Sequence, residues 1–116
     1  MNQLALIKMA QAERTAIVTQ VLSNHRGEAR GIHVDALAEK CGVSERDVRH
    51  AVTAMREDGI AVCAHPTTGY YIAASAEELE QCCQFLRSRA LKSLMLEARL
   101  RNVSLPDLLG QLHLPT

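Results

Sequence analysis

The chain has 116 residues, 47% of them hydrophobic, which suits one domain with a modest core and leaves no separate domain to house an enzyme. Its 13 Lys and Arg are matched by 13 Asp and Glu, so any affinity for a polyanion must come from the local distribution of charge and not from its total. No signal-like segment and no long apolar run is present, and a cytoplasmic protein is expected.

In chain order, residues 1–10 form a mildly apolar lead-in. Ala12 to Ser23 is the first domain helix, with Ala16, Ile17, Val21 and Leu22 as its core face. His25 to Gly31 is a polar loop whose Arg26 and Arg30 are either part of a solvated connector or contacts to a phosphate backbone. From His33 to Ser44, Leu37, Ala38 and Cys41 share one helical face, and Gly42 supplies the left-handed residue that stops the helix while Val43 plugs the turn.

Ser44 then caps a second helix, with Asp47 at the third helical position, a weaker form of the capping box. Val48, Ala51, Val52 and Met55 make its apolar stripe, and the helix ends at Asp58-Gly59. At about 100° per residue, Arg46, His50, Thr53 and Glu57 lie opposite that stripe, with Arg49 and Arg56 on one flank. Gly59 to Ala74 holds two β-prone runs around the breaker cluster His65-Pro66-Thr67-Thr68-Gly69. The hairpin tip so formed carries hydroxyls and an imidazole but no Lys or Arg, and Tyr70 and Tyr71 divide between core and surface.

Ala76 to Arg101 is the longest helical pattern. Leu79, Cys82, Cys83, Leu86 and Ala90 give its first half one clean stripe suited to packing onto the winged domain, whereas Leu91, Leu94, Met95, Leu96, Ala98 and Leu100 spread around the second half and need more than one neighbour to cover them. Apart from Glu97, its acids come first (Glu77, Glu78, Glu80) and its bases last (Arg87, Arg89, Lys92, Arg99, Arg101), an order that serves the helix dipole as well as it would a DNA-facing strip. After the cap Ser104, the tail places Leu105, Leu108, Leu109 and Leu112 at helical spacing, with Pro106 and Asp107 tolerated in the first turn. So short a helix is unstable alone and must dock on its own chain, on a second copy or on another protein.

The cysteines, Cys41, Cys63, Cys82 and Cys83, form no C-x-x-C pair, so free buried thiols are expected. Cys63-Ala64-His65 with His50 matches no zinc spacing, no nucleophile comes with a base and an orienting partner, and no phosphate-cradling glycine loop occurs. The expectation is a protein with no metal, no cofactor and no catalytic activity.

Two short helices across a tight turn, then a hairpin, have the order of a winged helix-turn-helix: mostly α, with a small β-hairpin wing, then a long C-terminal helix and a short amphipathic tail helix. The run Leu37-Ala38-Glu39 through Gly42-Val43-Ser44, with Arg46-Asp47-Val48-Arg49, Gly59-Ile60 and Gly69-Tyr70-Tyr71-Ile72, resembles winged-helix DNA-binding domains of bacterial and phage regulators. Ser75-Ala76-Glu77-Glu78-Leu79 with Leu86-Arg87-Ser88-Arg89-Ala90-Leu91 is similar to small winged-helix proteins carried by phages and prophages. The organisation expected is a lead-in (1–10), a winged domain (11–74), a long packing or dimerisation helix (75–102) and a leucine-rich tail (103–116).

This arrangement points to duplex DNA binding through Ser44, Arg46, Arg49, His50, Thr53 and Arg56 of the second helix and His65, Thr67 and Thr68 of the wing, since Arg suits guanine and Thr suits a thymine methyl or a phosphate. The resemblance implies a bacterial or phage-infected cell, and a stoichiometric role as a transcriptional regulator or a replication-region accessory factor. The chain departs from such domains in not being basic. The rival reading is a protein-interaction adaptor whose winged domain is a scaffold and whose tail grips a replication or transcription partner. Self-association as a dimer or higher oligomer is expected through Leu91, Leu94, Met95, Leu96, Leu100, Leu105, Leu108, Leu109 and Leu112, which would fix the spacing of two reading helices.

Overall fold

The computed structural model describes residues 3–112, in the order α1 (Gln3–Leu22), a 3-10 turn (Glu28–Arg30), α2 (Val34–Cys41), α3 (Glu45–Glu57), β1 (Val62–His65), β2 (Gly69–Ile72), α4 (Ala76–Leu100) and α5 (Leu105–Gln111). Residues 1 and 2 of the expected lead-in and 113–116 of the expected tail lie outside the described residues. The chain divides into two compact units, one ending at Cys82 and the other beginning at Cys83.

In the first unit the apolar stripes close on one another. Val18 and Leu22 of α1, Leu37 and Ala38 of α2, Val48, Ala51, Val52 and Met55 of α3, and Val62 and Ile72 of the hairpin form one buried cluster. The link from α2 to α3 is built by caps. Gly42 adopts φ 68°, its amide bonds to the Glu39 carbonyl (3.2 Å), and the Val43 amide reaches back to Ala38 (3.0 Å), a Schellman closure that lays Val43 against the core. Ser44 Oγ accepts from the Asp47 amide (3.1 Å) and Asp47 Oδ2 accepts from the Ser44 amide (3.1 Å), so the capping box is complete and stronger than the sequence implies. The same closure ends α3, with the Ile60 amide on the Met55 carbonyl at 3.0 Å.

The wing pairs β1 with β2 antiparallel, Val62 opposite Ile72 and His65 opposite Gly69. Its open edge is stitched to the segment read as a solvated connector. Ile32 and Tyr70 exchange two backbone bonds of 2.8 Å, the Ile72 amide donates to His25 (2.8 Å), and the Gly27 amide donates to Ile72 (2.9 Å). Glu78, in the first turn of α4, accepts from the amides of Glu28 (2.9 Å) and Ala74 (2.8 Å), locking the start of that helix to the same segment. Tyr71 is buried and Tyr70 partly buried.

Three expectations are corrected. Helix α1 starts at Gln3 and not at Ala12, so residues 3–10 are helical; the stretch has no Gly or Pro and is rich in Ala, Leu, Gln, Lys and Met, all good helix formers. Its core face is Val18 and Leu22, with Thr15, Thr19 and Val21 partly buried, while Ala16 and Ile17 are exposed. Apolar residues scattered around α1 leave its inward face to be chosen by the helix it meets. Of the four thiols only Cys63 is buried; Cys83 is exposed.

In the second unit, Asn102 takes the left-handed position (φ 56°) and the Val103 amide bonds to Ala98 (3.0 Å), ending α4 with an Asn in the role Gly42 plays for α2. Ser104 Oγ accepts from the Asp107 amide (3.2 Å) to cap α5. Ala98 and Leu108 are buried, and Leu94, Val103, Leu105 and Leu109 partly so. These leucines, expected at an interface, are thus wholly or largely covered within one chain, while Leu91, Met95, Leu96, Leu100 and Leu112 remain exposed. A hollow of about 260 Å³ lies among Met95, Ala98, Arg99, Val103 and Leu105.

Candidate nucleic-acid interface

Burial of Val48, Ala51, Val52 and Met55 fixes the rotation of α3, and the residues left outside are Glu45, Arg46, Arg49, His50, Thr53 and Glu57, all exposed. Arg49 Nη2 lies 3.9 Å from Glu45 Oε1, a loose surface pair, and the Thr53 hydroxyl donates to the Arg49 carbonyl (3.1 Å). Ser44 sits at the head of this face with its hydroxyl spent on the cap.

The other predicted contacts are drawn into the fold. Arg56 is partly buried and its Nε donates to the Val62 carbonyl (2.9 Å), tying α3 to β1. His65 Nδ1 accepts from the Thr67 amide (3.1 Å), which leaves the ring proton on Nε2, 3.5 Å from Glu28 Oε1. The Thr68 hydroxyl is buried with no hydrogen-bond partner. Of the wing residues predicted to reach DNA, Thr67 alone is exposed with a side chain that bonds to no described residue.

Sequence reasoning missed the neighbouring groove. Between α1 and α3 lies a space of about 480 Å³ lined by Gln11, Ala12, Arg14, Thr15, Arg46, Asp47, His50 and Ala54. Arg14 Nη1 stands 3.4 Å from Asp47 Oδ1, across 33 residues of sequence. The Asp47 carboxyl is held below the usual carboxylate range, first by the Ser44 amide and hydroxyl and then by the charges of Arg14 and His50. No local pattern marks Arg14; it becomes a site residue because α1 packs along α3.

Burial raises the Cys41 thiol of α2, and the other perturbed groups belong to the wing's packing. Burial, with the Cys82 thiol beside it, pushes Cys63 up to about 12, burial likewise raises Tyr71 to about 12, and the Ala74 and Glu28 amides lower Glu78. Among the described residues, no three His, Cys, Asp or Glu side chains converge as metal ligands and no helix is long and apolar enough to cross a membrane. Charge is unevenly shared: eight Lys and Arg against eleven Asp and Glu through Cys82, five against two from Cys83 onward.

No curated protein and no solved structure matches the chain significantly. Residues 2–63, running from α1 to β1, match the family model described as replication protein A C terminal. With more than half of its length matched, through all three helices of the winged core, the chain belongs to the replication protein A C-terminal family.

Proposed function

We propose that this chain binds duplex DNA at a replication region, with α3 as the reading helix, and acts by stoichiometric binding without chemistry of its own. The observation that carries the reading is the outward face of α3, where Arg46, Arg49, His50 and Thr53 are exposed together on a helix whose opposite side is locked into the core. Arg49 and Thr53 suit base edges and Arg46 suits a base or a phosphate. The family description favours a replication role over transcriptional control. A phage or prophage setting in the bacterial cytoplasm agrees with the sequence resemblance. Since the unit bearing α3 has more acids than bases, attraction is local and the salt dependence moderate, set by a few phosphate contacts.

The test pairs duplex titrations with thermal melting. Arg46→Ala and Arg49→Ala are each expected to weaken binding to a selected duplex by about 1–3 kcal/mol if the contact is to a base, with melting unchanged. Full affinity in both variants, fold intact, refutes α3 as the reading helix.

A second reading, a protein-interaction adaptor, is favoured by one observation: apart from Ile17, the large apolar side chains exposed among the described residues belong to α4 or the tail. In that reading Leu91, Met95, Leu96, Leu100 and Leu112 form the contact surface, and a second copy of the chain is the occupant that would also serve the DNA reading, by presenting two α3 helices at a fixed spacing.

A further inference from the structure

We propose that the groove between α1 and α3 seats one backbone phosphate of the duplex, held by Arg14 of α1 together with Arg46 and His50 of α3; this rests on the DNA reading above. Three side chains able to carry positive charge, from two helices, line one open space of about 480 Å³ beside the exposed face of α3. A helix that enters a major groove is flanked by the sugar-phosphate backbone, so donors one helix over from the reading face meet phosphates and not base edges. That placement favours a phosphodiester over an acidic side chain as the anion.

Asp47, the one acid among the described residues that line the groove, is already engaged. Its Oδ2 accepts from the Ser44 amide at 3.1 Å and its Oδ1 lies 3.4 Å from Arg14, so neither oxygen stands uncompensated toward an incoming anion. The Arg14 contact is long, and the two side chains are 49% and 25% exposed, so the pair adds little to stability, and a guanidinium with five N–H donors can keep one on Asp47 while turning others to a phosphate. The capping box that holds Asp47 does not need Arg14. Arg14 is therefore available to a ligand without loss to the fold.

A phosphate contact is blind to sequence, and this sets the experiment. Fluorescence anisotropy of a selected and a scrambled duplex is measured with wild-type protein, Arg14→Ala and Arg14→Lys between about 50 and 200 mM salt, with melting as the fold control. Arg14→Ala is expected to weaken both duplexes by the same factor and to reduce the slope of log affinity against log salt by about 0.9, so that the ratio of affinities at the two salt concentrations falls about 3.5-fold. Arg14→Lys is expected to restore the slope, because a phosphate accepts a point charge. Wild-type binding with a slope that Arg14→Ala leaves unchanged overturns the phosphate seat while the α3 reading stands. A loss confined to the selected duplex makes Arg14 a base reader and overturns it as well. A wild-type protein without salt-dependent duplex binding removes both, and binding of an acidic peptide in its place, lost in Arg14→Ala, assigns the groove to a protein ligand.

Discussion

Replacing Gly31 by Ala tests how rigidly the wing is held to the rest of its unit. Gly31 has φ −58° and ψ 150°, a backbone conformation open to any residue, so its dihedrals do not call for glycine. Its surroundings do. A Cβ at this position would stand 2.2 Å from the Thr68 carbonyl oxygen, 2.8 Å from its carbon and 3.0 Å from Thr68 Cβ. Relief requires the two backbones to part by about 1 Å to reach ordinary van der Waals separation. The neighbouring Ile32–Tyr70 bonds, both 2.8 Å, resist that movement. Overpacking of about 1–3 kcal/mol, with about 1 kcal/mol for each of two strained ladder bonds, gives an expected loss of about 3–5 kcal/mol. For a domain of this size that lowers Tm by at least about 12 °C. The comparison is Gly42→Ala, where φ is 68° but a Cβ would meet nothing within 4 Å, so left-handed strain alone costs about 1–2 kcal/mol. Thermal unfolding monitored by circular dichroism, with hydrogen exchange at the Tyr70 amide, provides the assay. If Gly31→Ala proves as stable as Gly42→Ala, the close approach is soft and the reasoning fails.

Asp47 and Glu78 have folded-state pKa values held below the ordinary range by hydrogen bonds, so their contribution to stability is present above about pH 4 and lost as pH falls through the depressed values. Melting temperature against pH should therefore drop on acidification, and a protein carrying Asp47→Asn and Glu78→Gln should show a flatter acid limb; an identical limb contradicts the assignment. Thiol labelling of the native protein should modify exposed Cys83 first and reach Cys63, 2% exposed with its thiol raised to about 12, only on unfolding. Rapid labelling that survives Cys41→Ser, Cys82→Ser and Cys83→Ser together would count against this. Sedimentation over a concentration series should show self-association that weakens when Met95 and Leu96, 52% and 58% exposed, are changed to Gln. A wild-type chain that stays monomeric at high concentration rules out the second copy as their cover.

The two motif helices, the turn between them, the hairpin and both C-terminal helices are legible in the sequence because their signals act within a few residues. A stripe at helical spacing, a glycine one place past the last turn and a serine three places before an acid each specify a local geometry on their own. The outward face of α3 is legible for the same reason: once Val48, Ala51, Val52 and Met55 are inside, Arg46, His50 and Thr53 must be outside. Packing decided the rest. No local rule separates Ile17 from Val18, adjacent apolar residues of which α1 buries only the second. None shows that the Arg56 side chain reaches back to the Val62 carbonyl, or that Leu108 is covered by its own chain. Arg14 joins Asp47, and Gly31 meets Thr68, across 33 and 37 positions of sequence. Such contacts have no period or composition to betray them. Sequence determined which elements form and which face α2 and α3 turn outward, while the fold alone left Leu79 and Leu86 of the α4 stripe exposed and determined which distant side chains come to share a groove, because that depends on how finished elements pack.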